Sequence, residues 1–187
     1  MLKIVITILL AFVVDICLVA QVNIDFFPKM LQNDLNKANG SSEVKELLQS
    51  PNVAGEIYLG KFYAIPSTSP IYKYAYVGRV KTCRAGGCSL KSDPKTDVES
   101  EYFDYYILFD SSFTVQLVKI YNYQATHGHE VSSKNWLKQF KGYKGDNELI
   151  RSKNVDAISG ATISVDAISF DIFHKTGLIK DVVGLSS

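Results

Sequence analysis

Residues 156–164 read Asp156-Ala157-Ile158-Ser159-Gly160-Ala161-Thr162-Ile163-Ser164, the point where an irregular segment gives way to the last helix. Ser159 and Gly160 permit a tight turn, Ala161 lets another group approach the backbone, and Thr162 presents a hydroxyl at the first helical turn. Beyond Ala161 or Thr162, where the helix is expected to begin, Val165, Ile168 and Ile172 recur at helical spacing. They predict a helix that lays one face on a core and stops before Gly177. A helix start carries unpaired N–H groups and the positive end of the dipole. It therefore favours an anion, and a hydroxyl fixed there can form a phosphoester with that anion. The same residues also suit an ordinary N-cap, in which Ser159 or Thr162 bonds only backbone. From residue types alone, both readings stand.

Working outward, the period changes from helical to two. Residues 56–64, 72–81, 102–109 and 114–123 are rich in aromatic and β-branched residues and read as strands, the last two joined by a turn at Asp110-Ser111-Ser112. Residues 89–100 are polar, contain Pro94 and read as an exposed loop. Ser132 or Ser133 can cap a helix running to about Phe140, with Trp136, Leu137 and Phe140 on one face and Gly142 and Gly145 ending it. Nearer the N-terminus, residues 22–39 and 42–49 are expected as two short helices parted by Asn39-Gly40, forming a stalk or cap. The expected fold class is α+β: an antiparallel sheet with packed helices, preceded by an N-terminal signal or anchor helix.

That first helix is expected because Lys3 is followed by an apolar run from Ile4 to Val14, which Asp15 interrupts before Ile16 to Ala20 resumes it. The run suits a signal peptide cleaved after Ala20 or an uncleaved membrane anchor. Export makes a disulfide between Cys83 and Cys88 possible, closed through Gly86 and Gly87. A redox dithiol and a pair of metal ligands are the alternatives. With 187 residues and a formal charge of +1, the chain has no global excess of either sign, and no nucleic-acid partner is expected. His127, His129 and Glu130 form HGHE, whose imidazoles would share a side if the segment were extended. His174 reads as a surface or C-terminal charge on the last helix.

DAISGATIS resembles the signature of FMN-binding domains in the covalent-flavin subunits of sodium-pumping NADH:quinone reductase and Rnf complexes. SGAT alone should arise by chance about once in a few hundred chains this long. In that family the threonine ending the motif is flavinylated. The resemblance matches Asp156, Ser159, Gly160 and Ala161 to the recognition element and puts Thr162 on the acceptor. A second motif of the family is a strand ending in a Glu-Thr-Pro-Gly type loop near the flavin ring. Here residues 118–123 lead into Ala125-Thr126-His127-Gly128, where Thr126 and Gly128 match and Ala125 and His127 depart. His127 would then be a flavin contact or a packing residue of that loop. The resemblance covers roughly residues 72–177. It implies an FMN-binding domain over 71–187, while residues 1–70 lie outside it and read by themselves as a signal or anchor over 1–20 and a helical extension with the first strand over 21–70.

By that resemblance the cofactor is FMN, covalent on Thr162, attached by a separate flavin transferase that uses FAD as donor. The six Lys or Arg within residues 134–153 can steer an anionic dinucleotide or form a solvated face. The implied protein is an electron-transfer carrier or subunit rather than a stand-alone enzyme. It would work in a bacterial cell envelope, anchored to the inner membrane and facing the periplasm, or periplasmic after cleavage. Its partners would be membrane redox proteins or a quinone-linked complex. A flavin-dependent reductase of a small acceptor and a cofactor-free envelope subunit are the competing expectations.

Overall fold

Alternation along the strands gives the sheet two different apolar faces, and a helix covers each. The computed structural model describes residues 23–47, 59–66, 71–84 and 100–186. Strands β1 (Lys45–Glu46), β2 (Gly60–Ala64), β3 (Tyr74–Arg84), β4 (Ser100–Phe109) and β5 (Val115–Tyr123) pair in chain order. All four pairings are antiparallel. The described helices are α1 (Lys29–Asn39), α2 (Lys134–Leu137) and α3 (Thr162–Ser186). The α+β expectation is met. The signal or anchor expected over residues 1–20 lies outside the described residues, among which no helix is long and apolar enough to cross a membrane.

On one face Phe103, Tyr105 and Ile107 of β4 pack with Val165, Ile168 and Ile172 of α3, all fully buried, and with Trp136 and Phe140. On the other, Tyr106 and Leu108 meet Leu31 and Leu35 of α1. Odd and even positions of one strand thus divide between two cores, as a pleated strand requires. The turn into β5 is held by Asp110, whose Oδ1 accepts from the N–H groups of Ser112 (2.8 Å) and Thr114 (3.0 Å).

Four expectations are corrected. The first helix begins at Lys29 rather than residue 22, because Pro28 has no N–H to give an earlier turn and pushes Phe27 away from helical geometry. It ends as expected, with Gly40 at φ 74° donating to Asn36 O. Residues 42–47 are not helical. Lys45 pairs with Ala64 and Glu46 with Tyr63, while the Leu47 N–H donates to Phe62 O at 2.9 Å and its side chain enters the core. Two charged residues at a sheet edge are ordinary, and Lys61 answers Glu46 at 2.8 Å. Ser100, expected in a loop, opens β4.

The fourth correction concerns α3, which does not stop before Gly177 but runs through it to Ser186. Gly177 costs about 1 kcal/mol relative to alanine within a helix. Continuing the helix fully buries Ile179 and Val182, each worth about 1.5–3 kcal/mol, so burial wins. His174 is consequently mid-helix, its ring 5.1 Å from that of Phe170, and not a C-terminal charge. Between β5 and α3, Ser133 accepts from Trp136 N–H and starts α2, which tightens into a 3-10 turn over Lys138–Phe140.

Candidate functional site

The turn before α3 is fixed from behind by the short α2 segment. Trp136 Nε1 donates to Asp156 O at 2.9 Å, and the Asp156 N–H donates to Gln139 Oε1 at 2.7 Å. Asp156 is therefore held by its main chain, while its side chain faces solvent. Gly160 has φ 78° with no atom within 4 Å of where a Cβ would lie, so the turn needs glycine for its backbone and leaves open space beside it. Ala161 is buried at the N-cap, its N–H donating to Ile158 O at 3.2 Å.

Ala161 has no side-chain acceptor, and no side chain among the described residues caps the helix start. The helical ladder begins with Val165 N–H to Ala161 O at 2.9 Å, so the N–H groups of Thr162, Ile163 and Ser164 stand ahead of it. Ser159 and Thr162 are both exposed, and neither side chain bonds a group among the described residues. The capping alternative is thus not realised. What remains is an exposed hydroxyl on the first residue of a 25-residue helix, beside first-turn N–H groups that precede the i→i−4 ladder. Those features fit a phosphate ester.

The second motif comes to the same place. Gly128, at φ 83°, lies against the first turn of α3, so that a Cβ there would stand 2.8 Å from Ser164 Oγ. Tyr123, the last residue of β5, donates its hydroxyl to His127 O at 2.6 Å and lies 3.3 Å from Ser164 Oγ. Its single proton is used on His127, so Ser164 is the donor in the second bond. Burial raises the Tyr123 pKa, with Glu101 and Glu130 adding to the shift and the Ser164 bond opposing it. Thr126 donates to Glu101. The structure brings Gly128 against the first turn of α3, and among the described residues neither Thr126 nor His127 hydrogen-bonds Thr162.

The HGHE segment is not extended, since Gly128 turns the chain into a 3-10 helix over His129–Ser132. His127 and His129 therefore do not form one facing pair. The His129 ring instead meets the edge of Tyr123 at 5.1 Å. Cys83 falls in β3, while Cys88 and hence their expected pairing lie outside the described residues. The lysines of residues 134–153 are exposed, and Arg151 pairs with Asp166 at 2.9 Å.

Residues 102–169 match the FMN-binding domain. The matched span opens in β4, contains both motif segments and closes two turns into α3. This match agrees with the family that DAISGATIS resembles, and it supports FMN as the ligand. No curated protein matches the chain. Sequence reasoning missed Tyr123, Glu101 and Ser164 as members of this site. Tyr123 looked like an ordinary strand aromatic. Ser164 had a usable signal, because it shares the inward helical phase of Ala161, Val165 and Ile168.

Proposed function

We propose that this protein is an exported, membrane-associated electron-transfer flavoprotein that holds FMN as a phosphoester on Thr162. One observation carries the reading: Thr162 offers an exposed, unengaged hydroxyl on an uncapped helix start inside an FMN-binding domain. In the attachment step the Thr162 oxygen bonds to the FMN phosphorus of FAD. The bond from that phosphorus to the bridging pyrophosphate oxygen breaks, AMP leaves, and the hydroxyl proton passes to solvent or to a base of the flavin transferase. The first-turn N–H groups of α3 would stabilise the resulting phosphodiester anion, and Gly160 keeps the approach clear.

Once bound, FMN supplies one- and two-electron transfer through its isoalloxazine ring. Covalent attachment suits export, because flavin held only by equilibrium binding would dissociate and be diluted outside the cytoplasm. The apolar run from Ile4 to Ala20 supports a place in the bacterial envelope, anchored and facing the periplasm or periplasmic after cleavage. Membrane redox proteins or a quinone-linked complex are the electron partners this placement calls for. Co-expression with a flavin transferase should raise the intact mass by that of FMN less one water. An unchanged mass contradicts the proposal.

A further inference from the structure

We infer that Tyr123 is the positioning residue that makes Thr162, rather than Ser164, the hydroxyl presented for modification. The inference rests on the attachment site proposed above. Both hydroxyls lie in the first turn of α3, yet their surroundings are opposite: Ser164 is 5% exposed, whereas Thr162 is exposed. Two residues apart on a helix means about 200° around its axis, so holding Ser164 inward turns Thr162 outward.

Tyr123 can do this holding because its own ring is fixed. It stacks on Phe103 with centroids 5.6 Å apart and planes 4° from parallel, and it takes the edge of His129 at 5.1 Å. Its oxygen then serves two segments at once, donating to His127 O in the loop and accepting from Ser164 on the helix. The absent side chain of Gly128 is what allows them to close on each other, for a Cβ there would also come within 3.2 Å of the Tyr123 oxygen. Without the phenol oxygen, the buried Ser164 hydroxyl would lose its partner and the first turn would gain freedom.

Tyr123→Phe keeps the ring and removes both bonds. Hydrogen exchange on the cofactor-free protein reads the effect directly. The Val165 amide, which donates to Ala161 O, and the Val131 amide, which donates to Gly128 O, should exchange on the order of tenfold faster, with the β4 amides unchanged. Adding Ser164→Ala removes the stranded hydroxyl and should restore Val165 but not Val131, a rescue that a general packing defect would not show. With flavin transferase and FAD, Tyr123→Phe should lower kcat for FMN transfer roughly tenfold at unchanged KM. Unchanged exchange, a uniform rise that includes β4, or transfer to Tyr123→Phe at the wild-type rate overturns the role of Tyr123. Wild-type protein that gains no FMN mass instead overturns the attachment reading, and the positioning role of Tyr123 in it falls as well.

Discussion

On the α1 side of the sheet, polar groups are spent on one another, whereas at the start of α3 they are left available. Arg79 grips Asp104 through Nε (2.6 Å) and Nη2 (2.9 Å), Asn122 adds a third bond at 2.8 Å, and both charged side chains are less than a tenth exposed. The Arg79 guanidinium also lies 3.6 Å from the centre of the Tyr102 ring. Nearby, Asp34 accepts from the Tyr106 hydroxyl and from Lys119, fastening α1 to the sheet. At the start of α3 the Asp156 main chain is tied to Trp136 and Gln139 and the Ser164 hydroxyl to Tyr123, but the Thr162 hydroxyl bonds no described group. Buried, reciprocally bonded charge lends itself to fixing one arrangement of the chain. An exposed hydroxyl at an uncapped helix start contributes little to stability and is free for chemistry.

If that contrast is right, substitutions on the two sides should separate stability from flavin attachment. The largest effect on folding should come from Asp104→Ala, which leaves a buried guanidinium unpaired and should cost about 3–5 kcal/mol in urea unfolding. Should Asp104→Ala prove neutral, the network is not what holds that face. Gly128→Ala should cost less, about 1–2 kcal/mol for the positive φ alone. Its added methyl would also push the loop from Ser164, so it should reduce flavin attachment more than its stability change explains.

The buried tyrosines give a further test in alkali. Tyr63, Tyr106 and Tyr121, on the α1 side, all have pKa values raised above the ordinary 10, first by burial and then by neighbouring carboxylates or, for Tyr106, its bond to Asp34. Tyr143, beneath the loop after α2, is pushed up to about 12 by burial and Asp146. Folding favours the protonated phenol in each case. That stability is complete below pH 10 and is lost as pH rises through the raised values. Tyrosinate absorbance should therefore lag behind that of unfolded chain until the fold gives way, and early titration of all eleven tyrosines would contradict the burial described. The smallest effect on folding belongs to Thr162→Val, within about 0.5 kcal/mol, since an exposed side chain without partners is replaced.

The strands were legible because residues 102–109 and 114–123 are rich in aromatic and β-branched residues, but the two-sided sheet was not, since the run Tyr105 to Phe109 is apolar on both faces and carries no alternation to read. The turn before α3 was legible locally, with Gly160 and the apolar phase of Val165 marking where a helix must begin. What was hidden depended on contacts distant in sequence. Residues 42–47 carry weak helical signals that lose to pairing with β2, and Gly177 reads as a stop until the burial of Ile179 and Val182 is counted. The Tyr123–Ser164 bond joins residues 41 positions apart, and no local pattern announces such a tie.

The most direct test of the central claim is to map the modification. Protein made with flavin transferase and FAD should be digested and the peptide spanning residues 159–164 sequenced by mass spectrometry. FMN less one water should be found on Thr162 alone, absent after Thr162→Val and partly retained after Thr162→Ser. An unmodified peptide, or FMN on Ser159 or Ser164, would contradict the account.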